Sequence, residues 1–202
     1  MKNILELCQE VAKEIGTIPP KSLFDGKYIR YISIAKDTLD SLLRYGEWVE
    51  MIKTATIEIN QDKCVYDIIR EIPDFYQICE TTLYIKDCKN KVIASFTPEE
   101  RKKTRILRVN NTAFKWMCGV IYFLEKPTEM KIIFQYMPNS IVYDGKTYKE
   151  KSVLSEDTDI PVFDEDLVKL GMIWRWKRQR GDSYQDEYET YHKKLKEIFA
   201  RS

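Results

Sequence analysis

The hydrophobic period of this chain changes twice, and those two switches constrain its fold more than any single residue does. Near the N-terminus Ile4, Leu7, Cys8, Val11, Ala12 and Ile15 recur at helical spacing, with Asn3 placed to cap the helix and Gly16 to stop it. Pro19 and Pro20 make a rigid connector. A second helix is expected from Asp25 or Gly26, with Tyr28, Tyr31, Ile32, Ala35, Leu39, Leu42 and Leu43 as its apolar stripe and Gly46 as its terminator. At Thr54 the period falls to two: Thr54, Thr56, Glu58 and Asn60 alternate with Ala55, Ile57 and Ile59. Further strands are expected at 81–85, 91–96, 105–109, 120–124 and 130–136, joined by polar turns, with a single helical turn at 97–103.

From Ile160 the helical period returns. Asp164, Glu165 and Asp166 supply the negative charge a helix start favours, and Leu167, Leu170 and Trp174 follow on the apolar side. Arg175, Lys177, Arg178 and Arg180 make a cationic last turn that Gly181 closes. Asp182 is then placed to cap a final helix, with Gln185 at the capping-box position and Tyr184, Tyr188, Tyr191, Leu195, Ile198 and Phe199 in one stripe. The order predicts an α+β protein: a helical bundle of N- and C-terminal helices with an inserted antiparallel β-sheet or small β-barrel. The expected segments are 1–53, 54–158 and 159–202.

Composition narrows the function classes. With 33 Lys and Arg against 32 Asp and Glu, the net charge of +1 gives no global attraction to DNA or anionic lipid. The five cysteines contain no closely spaced pair and are expected to be reduced thiols of a cytosolically folded protein. The single histidine, His192, excludes mechanisms that need two in one chain, and it is expected at the surface or at a subunit contact. No glycine-rich phosphate-binding signature is present, and the longest apolar run, 116–124, is about half the roughly 20 residues a membrane span needs. No catalytic, cofactor-binding or metal-ligating residue is assigned, and the chain is expected not to be an enzyme. A carboxylate hydrolase is the remaining enzymatic alternative, since paired carboxylates leave no spacing signature.

Two regions are candidate contact surfaces. The stretch 86–108 carries eight basic residues against three acidic ones, and Lys89, Lys91, Arg101, Lys102 and Lys103 are its candidate contacts. A nucleic-acid-binding module using this stretch is the alternative function, although aromatic residues for stacking are nearly absent from it. The second region is the C-terminal helical pair: Trp174, Trp176, Lys177, Arg178, Arg180, Tyr184, Tyr188, Tyr191, Phe199 and Arg201. Tyr and Trp suit an interface and core packing alike, so the stripe reads either as a partner-binding face or as packing against the Trp174 helix.

Several phrases, in order, resemble the head-to-tail adaptor proteins of tailed bacteriophages, also called tail accessory factors or tubular tail proteins. They are "LELCQEVAKEIG" at 5–16, "LRYGEWVEMIKTATIEI" at 43–59, "IPDFYQI" at 72–78, "LEKPTEMKIIFQYMPN" at 124–139, and the closing "DIPVFDEDLVKLGMIWRWKRQRGDSYQDEYETYHKKL" at 159–195. The charged stretch 86–111 matches no phrase of that family. The resemblance implies a structural virion protein, assembled in the host cytoplasm and located in the neck. There it would bind the portal protein as a ring of about twelve copies of itself, extend the channel for DNA passage and ejection, and carry tail, nozzle or other neck proteins. It implies no cofactor and no membrane partner, and it places the portal contact in the segment 174–202.

Overall fold

The computed structural model describes residues 1–103, 105–117 and 119–200. The chain is α+β, with its strands in antiparallel open sheets. It divides into two compact units: residues 1–48 with 139–202, and residues 49–138.

The first unit is mainly helical. Helix α1 (Ile4–Glu14) starts on a capping box in which the Asn3 side chain accepts from the Glu6 N–H and Glu6 accepts from the Asn3 N–H. Its next orphan donors are met from far along the sequence: the Ile4 N–H donates to the Asp159 carbonyl (2.8 Å) and the Leu5 N–H to the Asp157 carbonyl (3.3 Å). A 3₁₀ turn at Gly26–Tyr28 leads into α2 (Ile29–Tyr45). Helix α5 (Glu165–Arg180) is capped by Asp164, whose side chain accepts from the Leu167 N–H, and closed by Gly181 at φ +79°. Helix α6 (Gln185–Ala200) ends the described chain.

Helix α5 has buried residues around most of its circumference, including Leu167, Val168, Met172, Ile173, Trp174 and Trp176, because α1, α2 and α6 all pack on it. Gly171 allows the closest approach. A Cβ there would meet the Thr38 methyl of α2 at 2.6 Å and the Tyr191 ring of α6 at 3.0 Å. Three two-residue strands, β10 (Val142–Tyr143), β11 (Glu150–Lys151) and β12 (Ile160–Pro161), complete this unit as a small sheet ordered β11-β10-β12. Beside it Asp159 is fully buried and accepts from the Lys151 ammonium (2.7 Å) and from the Ser155 and Glu156 N–H groups (2.9 and 3.0 Å).

The second unit consists of two sheets over one hydrophobic core. The central strand of the larger sheet is β9 (Met130–Pro138). Along one side it pairs with β1 (Lys53–Ile59), from Lys53↔Tyr136 to Ile59↔Met130. Its other side is shared by β4 (Leu83–Asp87) and β3 (Phe75–Ile78), and β5 (Val92–Phe96) pairs outside β4. The second sheet is ordered β2 (Val65–Asp67), β8 (Val120–Phe123), β7 (Thr112–Met117), β6 (Leu107–Val109). Short helices α3 (Ile68–Glu71) and α4 (Pro98–Lys103) sit in its connections. Ile57, Leu83, Ile85, Phe114, Ile121, Ile132 and Phe134 belong to the shared core. Asp74 ties β3 to its neighbours, accepting from Lys53 Nζ and from the Tyr136 hydroxyl, both at 2.9 Å.

Four expectations change. The sheets are open, so the small-barrel form is not found. The β unit ends at Pro138 rather than at residue 158, because 139–158 folds with the helices through β10, β11 and β12. Helix α6 starts at Gln185, so Asp182 is not its cap; the Asp182 carboxylate instead pairs with Arg180 Nε at 3.2 Å. The hydrophobic pattern marks none of strands β2, β3 and β7, and β3 is half-buried at every position, which leaves no alternation to read.

Candidate functional site

The C-terminal helical pair separates into buried and accessible residues. Trp174 and Trp176 are each 7% exposed and Tyr191 is 2% exposed, so these three serve the interior of the helical unit. Trp174 meets Tyr188 edge-on at 5.3 Å and Tyr191 at 6.2 Å, with the Arg175 guanidinium 4.2 Å from its ring centroid. Trp176 stacks on Tyr31 at 4.4 Å and lies under Arg30 at 4.5 Å. Arg175 also donates to the Gly171 carbonyl, and burial holds its guanidinium below the ordinary arginine range. Phe199 is half-buried against Tyr45 and Trp48, at 5.1 and 4.9 Å.

What remains accessible is the cationic end of α5 and the adjoining side of α6. Arg178 and Arg180 are exposed, while Lys177, Tyr184 and Tyr188 are half-buried. Lys177 is ion-paired with Glu187, and the hydrogen bond from Lys177 holds the Glu187 carboxyl below its usual value. His192 is half-buried against Tyr188 (4.3 Å) and Tyr191 (5.2 Å). Burial pushes its imidazole below the ordinary value, with Lys196 and Arg175 acting the same way. Arg201 lies outside the described residues.

The basic stretch also divides. Lys89 and Lys91 are exposed at the β4–β5 turn, where the Asp87 carboxylate accepts from both of their backbone N–H groups at 2.9 Å. Arg101, Lys102 and Lys103 form the last turn of α4, which begins on a reciprocal Thr97–Glu100 pair. The backbone N–H of Thr97, followed by its hydroxyl, holds the Glu100 carboxyl below its usual value. Arg101 is the half-buried member, and its Nη2 donates to the Cys79 and Thr81 carbonyls at 3.0 and 2.7 Å.

Arg101 and Lys102 line a recess of about 580 Å³ within the β unit, together with Arg105, Lys115 and Trp116, above an apolar floor that includes Leu107 and Ile78. That volume lies in the range of ligand pockets. Four cations face one lining carboxylate, Glu80, which Lys102 contacts at 2.6 Å and whose carboxyl that hydrogen bond lowers. Trp116 is half-buried and meets Phe134 of the shared core edge-on at 4.9 Å, which fixes its ring. Lys103, Lys89 and Lys91 are not part of the lining. Sequence reasoning singled out neither Lys115 nor Trp116, because both lie outside the basic stretch and on a strand it did not expect.

No family model and no curated protein matches this chain. Among the described residues no group of three or more His, Cys, Asp or Glu side chains is arranged to hold a metal ion. Among them, too, no helix is long and apolar enough to cross a membrane. Cys8 and Cys79 are buried, Cys64 is intermediate and Cys88 is exposed; Cys118 lies outside the described residues. Burial pushes the Cys8 thiol far above its ordinary value, which suppresses its thiolate chemistry.

Proposed function

We propose that this chain is a head-to-tail adaptor of a tailed bacteriophage. It is a structural neck protein, without catalytic activity, that binds the portal as a ring, extends the DNA channel and carries tail components. In this reading the helices of the two chain ends form the bundle expected from the sequence. The observation that carries the reading is where the resembling phrases fall. The phrase at 5–16 lies on α1, 43–59 on the end of α2 and β1, 72–78 on β3, 124–139 on β9, and 159–195 on α5 and α6. The opening phrase falls on a helix, 43–59 on a helix end and a strand, 72–78 on a strand and the closing phrase on a helical pair, in the order the resemblance implies, whereas 124–139, implied as a strand pair, carries β9 alone.

Two physical features agree with it. A chain with two different surfaces can repeat one heterologous contact around an axis, which closes into a ring when the rotation permits. The balanced net charge suits a channel wall, because phosphate contacts would otherwise retain DNA. Within the C-terminal contact region, Arg178 and Arg180 with Tyr184 and Tyr188 are the residues left to meet the portal, as Trp174, Trp176 and Tyr191 are core.

The test mixes the purified chain with the portal protein of the same phage and follows ring assembly by electron microscopy and sedimentation. We expect rings of about twelve copies on the portal, and reversal of Arg178 and Arg180 to Glu weakens the complex by about tenfold or more. A portal that gains no mass would refute the reading. Truncation after Gly181 is not a usable test, because it removes Tyr191 and Leu195 from the interior.

A further inference from the structure

We infer that the recess of the β unit is a docking site for an extended acidic peptide segment that also carries an apolar side chain. The inference rests on this recess alone and does not depend on the adaptor reading. Three observations lead to it. The first is charge: Arg101, Lys102, Arg105 and Lys115 gather on one concavity with Glu80 as the lining carboxylate, in a chain whose net charge is only +1. Converging cations around an apolar floor attract an anion and reward an apolar body beside it. The second is preorganisation. The Arg101 guanidinium is fixed by the Cys79 and Thr81 carbonyls, and Trp116 is fixed by Phe134, so little side-chain freedom is lost on binding.

The third is the backbone at the rim. The β6–β7 ladder ends at Leu107↔Phe114, whereas β7 continues through Lys115 and Trp116 to Met117. On its other side β7 is paired with β8 as far as Met117↔Val120. Among the described residues the overhanging piece of β7 has no ladder partner on the β6 side, and an added extended segment would pair with its main-chain groups there, the arrangement used in strand addition. Side chains of such a segment alternate between faces, so carboxylates can meet the cations while an apolar residue enters the recess.

A nucleic acid strand fits less well. Binding of a strand uses a basic track with several stacking aromatics, whereas this recess has one tryptophan in its lining. Lys89 and Lys91, which would have to extend such a track, stand apart at the β4–β5 turn.

The probe is a fluorescein-labelled decapeptide of Glu and Asp around a central Leu-Phe pair, titrated with the full chain and read by anisotropy. We expect saturable binding below about 100 μM at low salt, weakened by added salt, and no binding of the same peptide with Gln and Asn replacing the acids. The pair Arg105→Glu and Lys115→Glu should weaken binding by about tenfold or more, with an unchanged thermal midpoint; the single Lys115→Gln serves if the pair fails to fold. Trp116 is the only tryptophan of residues 49–138, so Trp116→Phe should remove any fluorescence change that arises within the β unit while leaving the anisotropy titration intact. No peptide binding would overturn the inference, as would equal or tighter binding of a labelled oligothymidine decamer, or equal loss on reversing Arg178 and Arg180 in place of Arg105 and Lys115. Displacement of the peptide by inorganic phosphate at about 1 mM would reduce the recess to a general anion site and equally contradict it.

Discussion

The helical unit and the β unit use the same residue types in opposite ways. In the helical unit part of the aromatic stripe that looks like a contact surface is turned inward: Trp174, Trp176 and Tyr191 are buried, with Arg30 and Arg175 over their rings. In the β unit the buried cluster is almost wholly apolar, and the cations collect at one open recess beside Trp116. The contrast shows that an aromatic-basic stripe on a helix is weak evidence for a docking face. A helix that must cover two or three neighbours needs large side chains all around, and Arg can lie on an aromatic ring while its charged end stays near solvent. In a sheet unit, whose core is filled from alternate positions, a cation near the interior requires an opening.

The two units also differ in what locks them, and mutations can break that contrast. The helical unit depends on one buried carboxylate. Asp159 satisfies Lys151 and two backbone N–H groups, and its own carbonyl accepts from the first turn of α1. Asp159→Ala takes the acceptor from the Ser155 and Glu156 N–H groups, leaves Lys151 with only the longer contact to Asp144 (3.8 Å), and should cost about 3–5 kcal/mol. Hydrogen exchange should show the loss across residues 1–48 and 139–200 first; equal loss across 49–138 would mean that the two units do not differ in this way. A smaller effect separates the tryptophans. Trp48 Nε1 donates to the Leu42 carbonyl at 2.9 Å, whereas the buried indole N–H groups of Trp174 and Trp176 have no hydrogen-bond partner among the described residues. Trp48→Phe should therefore destabilise by about 1 kcal/mol more than Trp174→Phe in denaturant unfolding. An equal cost for both would indicate that ring volume alone decides.

Much of the helical part was legible because its ends are written in local chemistry. The Asn3–Glu6 capping box, the Asp164 cap and the left-handed Gly181 each act within a few residues, so the sequence order displays them directly. Strand β1 was equally plain, since Ala55, Ile57 and Ile59 face the core with polar residues between them. Strand β7 was not. Thr112, Ala113 and Phe114 are buried in succession, which erases the alternation that marks a half-buried strand. The boundary at Pro138 was hidden for a different reason. Residues 139–158 join the helices through two-residue strands and through Asp157 and Asp159, which act on Leu23, Ile4 and Leu5 more than a hundred positions away.

The candidate site was legible by half. The basic stretch supplied Arg101 and Lys102, while Lys115 and Trp116 came only from the pairing of β7 with its neighbours. On the helical side the sequence offered two readings of the tyrosine stripe. The structure divides it by residue, with Tyr191 inside and Tyr184 and Tyr188 half-exposed. Spacing along one helix indicates which residues share a face, but which part of that face a neighbour covers depends on the packing angle of α5 and α6.

The adaptor reading is tested most directly by locating the chain in the particle that encodes it. Cryo-electron microscopy of purified virions should place a ring of this fold between the portal and the tail, with the exposed end of α5, at Arg178 and Arg180, against the portal. Density for the fold elsewhere in the virion, or its absence from a neck whose other components are all accounted for, would contradict the account.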